Sequence, residues 1–124
     1  MEQQMNSVPR LDALHYLFTQ DADGITAHCL DLDLVTNAPD RTEAESRLNA
    51  MVRVQVAGAY STGNFDLLFF KAPRKFWVAM DNASDLPKSH LRIDTVPPQH
   101  LPVEQKMELQ LSVFRAQTTA HAAA

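Results

Sequence analysis

Apolar and polar positions alternate through the first third of the chain. Leu14, Tyr16 and Phe18 are separated by His15 and Leu17, and Ile25, Ala27 and Cys29 are separated by Thr26 and His28. A period of two puts one set of side chains on a buried face, so both runs predict half-buried strands. Asp23-Gly24 lies between them. Asp-Gly at such a junction predicts a hairpin, because glycine reaches positive φ without a Cβ clash. Leu14, Tyr16 and Phe18 should then share the core face with Ile25, Ala27 and Cys29. The first strand is predicted from Arg10 to Gln20.

The apolar phase slips by one after Cys29. Leu30, Leu32 and Leu34 alternate with Asp31 and Asp33. A one-residue slip turns the apolar set to the other face unless the backbone compensates, which predicts a bulge or bend near Cys29-Leu30 and a third strand to about Thr36. Asn37-Ala38-Pro39-Asp40 closes that strand. The period then becomes helical: Ala44, Leu48, Met51, Val52, Val56 and Ala59 form one stripe over four turns. This predicts a helix from Asp40 to Tyr60. Its phase favours Asp40 as the cap, paired with Glu43, over Thr42 with Glu45, and Gly63 is read as the stop.

Later segments are less regular. Phe65 to Phe70 is apolar and fits either a short buried strand or a packed irregular segment. Pro73 suits the start of a short helix with Phe76, Trp77 and Met80 on one face. Asp81 to Ser89 reads as a polar connection. Leu91 to Val96 begins in strand phase, and Pro97, Pro98 and Pro102 forbid a continuing central strand. Met107, Leu109, Leu111 and Val113 alternate with Glu108, Gln110, Ser112 and Phe114, predicting a final strand from about Lys106 to Arg115 with a helix as its rival. Met1 to Pro9 reads as frayed, and residues 118–124 as a disordered tail.

Two of these motifs carry a family resemblance. Ala27-His28-Cys29-Leu30-Asp31-Leu32, with Asp40-Arg41-Thr42-Glu43-Ala44 and Leu48, resembles the HicB-like domain, in which a strand ends in Ala-x-Cys-Pro-x-Leu-Pro-Gly and a helix opens with Thr-x-x-Glu-Ala-x-x-x-Leu. The match covers about Leu14 to Tyr60. Leu30 stands where that family has Pro, Asp33-Leu34 where it has Pro-Gly, and Asp40 where Thr is usual. The resemblance implies a small ββαβ-type unit similar to part of ribonuclease H. It also implies an antitoxin that binds a small basic messenger-RNA-cleaving toxin, often through a chain with a DNA-binding tail. From Asp94 to Ala124 the only Lys or Arg residues are Lys106 and Arg115, too few for a basic DNA-reading helix.

Charge adds to the picture because it is unevenly spread. The net charge is −4 over 124 residues. Asp21, Asp23, Asp31, Asp33, Asp40, Glu43 and Glu45 face a single base, Arg41, within one stretch, whereas Lys71 to Arg92 is mostly basic. An acidic front does not favour phosphate backbones, so nucleic acid is not the expected partner. It suits a small basic protein, with Asp31, Asp33, Asp40 and Glu43 as the candidate partner-binding residues. The bland reading of the same acids is a solvated hairpin and an ordinary first helical turn. The basic stretch holds Phe76 and Trp77 beside Arg74 and Lys75, a combination that can stack nucleobases but more often covers a core.

Catalytic chemistry is not expected. A single cysteine, Cys29, reads as a small core hydrophobe in a reducing compartment. No phosphate loop, zinc-ligand pair or nucleophile elbow occurs. His15 and His28 share strand parity and should lie on the face opposite Tyr16 and Phe18, where a metal would need a third ligand that the local sequence does not supply. Asp31 and Asp33 would suit Mg²⁺ chemistry, but the HicB-like domain is not known for that acid set. No run approaches a membrane span, and the N-terminus is not a secretory signal. The chain is therefore read as one cytoplasmic α+β domain: a three-stranded antiparallel meander on one long helix, extended by one or two later strands. It is expected to bind protein, to need no cofactor, and to dimerise through an exposed edge on its final strand.

Overall fold

The structure, a computed structural model, describes residues 11–95 and 107–119. It is α+β, with a five-stranded mixed sheet and two helices. The strands are β1 (Ala13–Asp21), β2 (Gly24–Cys29), β3 (Leu34–Ala38), β4 (Ser84–Thr95) and β5 (Met107–Thr119), and the helices are α1 (Arg41–Thr62) and α2 (Arg74–Asp81). The sheet order is β3-β2-β1-β5-β4.

The first hairpin forms as its residue types require. Tyr16 pairs with Cys29 and Phe18 with Ala27, so the two apolar sets share one face. Gly24 sits at φ +142, and a Cβ there would lie 2.5 Å from the Ala38 carbonyl oxygen. Glycine is needed on both counts. The first strand runs from Ala13 to Asp21, three residues later at its start than the sequence suggests.

The phase slip at Cys29 is resolved by a turn, and the third strand starts at Leu34, not at Leu30. Leu30 to Asp33 form the β2–β3 loop, with Asp33 in the left-handed region at φ 53, a conformation that Asp tolerates better than most residues. The loop sends its two leucines to opposite faces. Leu32 joins the main core, while Leu30 packs with Leu17 and Ala72.

Asp40 caps α1 by accepting a hydrogen bond from the Glu43 amide at 2.8 Å, and Gly63 closes the helix at φ +74. The helix buries Ala44, Leu48, Val52, Val56, Ala59 and Tyr60. They pack on Leu14, Tyr16, Phe18, Ala27 and Cys29, joined by Leu91, Ile93, Leu109, Leu111 and Val113. Helical and strand periodicities thus meet at one interface.

The later strands differ most from expectation. Phe65–Leu68 is a 3-10 turn. β4 begins at Ser84, inside the segment read as a polar connection; its register shifts between Leu86 and Ser89, so Pro87 occupies an irregularity on an edge strand, where its missing N–H costs no ladder bond. β5 is a strand as expected but is not an edge. It runs parallel to β1 and antiparallel to β4 between them, because its apolar set is needed in the core beneath α1. Among the described residues the edges are β3 and β4, so the final-strand edge expected to dimerise is already paired. β5 also continues to Thr119, into the expected tail. The expectations for residues 1–9, 97–102 and 120–124 lie outside the described residues.

Candidate functional site

The four acids singled out in the sequence flank β3. Asp31 and Asp33 belong to the loop before it; Asp40 and Glu43 open the helix after it. β3 has five residues, so the two pairs are separated by roughly 17 Å of strand. They form two acidic ends of one strand and not a single site.

Each acid also has an internal partner. Asp31 Oδ1 accepts the His15 backbone N–H at 2.6 Å, and its Oδ2 lies 3.0 Å from His15 Nδ1. Its side chain is only 14 % exposed, so most of it serves the fold. Asp33 Oδ1 lies 2.7 Å from His28 Nε2 and remains 43 % exposed. Asp40 is committed to the helix cap. Glu43 pairs with Arg47, and Arg47 Nη1 also donates to the Asn37 carbonyl of β3 at 2.7 Å. Asp33, Asp40 and Glu43 are exposed, Asp40 being fixed by its cap, while Asp31 is the part-buried member.

The two edges of the sheet differ in chemistry. β4 carries Asp85, Lys88, Arg92 and Asp94 along with the Pro87 irregularity. Charges, proline and bulges all discourage another strand from adding there. β3, Leu-Val-Thr-Asn-Ala, carries none of these. Its Val35 side chain is half exposed.

His15 and His28 do lie opposite Tyr16 and Phe18, as their parity requires, and each is claimed by its own aspartate. The pairings were not anticipated from sequence. The available signal was that Asp31 and Asp33 follow directly on the strand bearing His28. Among the described residues, no three His, Cys, Asp or Glu side chains converge to hold a metal ion. Cys29 is fully buried, and burial, with a smaller contribution from the Asp31 charge, pushes its thiol up to about 12. It is a neutral hydrophobe at ordinary pH, unsuited to nucleophilic work. Tyr16 is likewise pushed well above its usual range by burial, and its hydroxyl donates to Asn49 Oδ1 at 2.7 Å.

A separate open depression of about 370 Å³ lies at the closed end of the first hairpin, lined in part by Asp21, Asp23, Thr26, Asn37 and Arg47. It touches β3 through Asn37 and Ala38 but does not reach the histidines. No described helix is long and apolar enough to cross a membrane. Comparison with known protein families, with curated proteins and with solved structures found no match to this chain.

Proposed function

We propose that this chain is a non-catalytic protein-interaction module of the HicB-like kind, which takes a small basic partner along β3. The observation that carries the reading is that, among the described residues, β3 is an edge strand with no charge or proline of its own and acidic residues at both ends, Arg47 taking one of its carbonyls, that of Asn37. A strand can add to such an edge through main-chain hydrogen bonds, and its flanking charges choose the partner. A partner strand bearing Lys or Arg at both ends would meet Asp33 at one end of β3 and Glu43 at the other. The strand–helix order across Leu14 to Tyr60 also suits the resemblance in the Ala27–Leu32 and Asp40–Leu48 motifs.

A homodimer, the other association expected from sequence, is not served by this edge. Antiparallel pairing of β3 with a second β3 would bring acidic ends together, which is unfavourable. A dimer would use another surface, and sedimentation at high micromolar concentration tests for it.

The test of the main proposal is affinity capture followed by a salt titration. Capture of a basic protein that is released between low salt and roughly 0.5 M, and lost with Asp31→Asn, Asp33→Asn and Glu43→Gln combined, supports the reading. Binding indifferent to both salt and substitution sinks the electrostatic basis. A second reading, a small-ligand or regulatory domain, is favoured by the depression beside Arg47. Under that reading Arg47→Gln, and not the three-acid variant, abolishes binding.

A further inference from the structure

The face of the sheet opposite α1 carries a different chemistry from the β3 edge. His28 of β2, His15 of β1 and Phe114 of β5 stand on three adjacent strands, and α2 adds Phe76 and Trp77 above them. The rings are in contact along this line. His28 and Phe76 have centroids 4.6 Å apart, His15 and Trp77 5.2 Å, and His15 and Phe114 5.4 Å with an interplanar angle of 22°.

Cations accompany these rings. Lys75 Nζ is 5.1 Å from the Phe76 ring centroid, Lys88 Nζ is 5.8 Å from that of Phe114, and Lys71 Nζ is 6.0 Å from that of Trp77. All three lysines are exposed. Phe114 keeps 42 % of its surface in water, and His15 keeps 35 % of its side chain there. Phe114 is stacked on His15 yet leaves part of its ring open to a further flat group.

The platform is also held in place. Trp77 Nε1 donates to the Ala72 carbonyl at 3.1 Å, and Asp31 and Asp33 hold the two imidazoles. Rings fixed in advance lose little freedom when something stacks on them.

From this arrangement we propose that the face bearing His15, Trp77 and Phe114 binds single-stranded nucleic acid, with bases stacking on the exposed Phe114 and the part-exposed His15 and Trp77, and phosphates taken by Lys71, Lys75 and Lys88. Stacking on aromatic rings beside a basic track is how sequence-tolerant single-strand binding is achieved. Two acids share this face, but Asp31 and Asp33 are paired with His15 and His28, and the exposed Lys71, Lys75 and Lys88 outnumber them; a strand following the lysines feels their field within a Debye length, about 10 Å at 0.1 M salt. Lys71 and Lys75 lie close together in sequence, but Lys88 and Phe114 join them only through the pairing of β4 with β5 and of β5 with β1.

Trp77 is the only tryptophan in the chain, so its fluorescence reports directly on this face. The experiment titrates the full chain with short labelled oligo-dT and oligo-U, reading Trp quenching and label anisotropy together. The expected result is saturable quenching that weakens roughly twentyfold between about 50 and 200 mM salt, the dependence of about three phosphate contacts on a single strand. Phe114→Ala should weaken binding roughly tenfold. The combined Lys71→Gln, Lys75→Gln and Lys88→Gln variant should lose most of the salt dependence while its circular dichroism stays unchanged. Absence of quenching at about 50 mM salt, equal binding by the triple variant, or tighter binding of polyglutamate or anionic vesicles than of the oligonucleotides would overturn the proposal. The variants leave Asp31, Asp33 and Glu43 intact, so failure here leaves the β3 reading standing.

Discussion

Single residues carry commitments that can be tested without a partner. Gly24 combines a positive φ with backbone contact behind it; Gly24→Ala is expected to cost about 1–3 kcal/mol, read as a lower denaturant midpoint. Asp31 accepts both a backbone and a ring hydrogen bond from His15. Asp31→Ala strands a part-buried N–H and is expected to cost about 1–3 kcal/mol, whereas Asp31→Asn keeps an acceptor and should cost less. Cys29 sets a pH dependence. Its folded thiol is raised from 9.0 to about 12, so the folded state holds the proton more tightly than the unfolded one. The contribution is fully present below pH 9 and is lost as pH rises from there toward 12. Stability should decline above about pH 9 by roughly 1.4 kcal/mol per pH unit for this group, and more steeply once Tyr16 ionises in the unfolded chain. Cys29→Ala should delay the onset, as urea melts across the alkaline range would reveal.

At the scale of elements, α1 and the first hairpin are the frame. Leu48 is fully buried against the sheet, and Leu48→Ala is expected to cost about 2–5 kcal/mol, a large share of a typical total of roughly 5–15. Asp40→Ala removes a cap worth about 1 kcal/mol, while Asp40→Asn keeps the cap and removes the charge, so thermal melts separate its helix role from any partner role. Both elements were legible in the sequence because local signals agreed: Asp23-Gly24 at the turn, alternation on either side, and an apolar stripe starting just after Asp40. The third strand was misplaced because Leu30, Leu32 and Leu34 alternate as a strand would, yet the first two fill opposite sides of a loop. The start of β4 was missed because Ser84 to Ser89 contains Pro87 and no apolar run; its pairing with β5 decides its conformation. The position of β5 beside β1 depends on contacts about a hundred residues apart, which periodicity alone does not encode. Of the candidate site, the four acids were visible as charges, but their distribution over two ends of β3 and their internal partners required the fold.

Across the whole molecule, charge and edge protection are distributed unequally. β4 is shielded by its own charges and by Pro87, while β3 is uncharged and bounded by acids. The β3 edge is therefore the predicted docking line for a basic protein. Salt should weaken that complex more than it weakens the isolated fold, whose core is apolar. The most direct measurement is amide hydrogen exchange of the chain alone and with its captured partner. Docking by strand addition predicts slowed exchange across Leu34–Ala38, with β4 unchanged. Unaltered exchange in β3, or protection confined to β4 or to the hairpin depression, would contradict it.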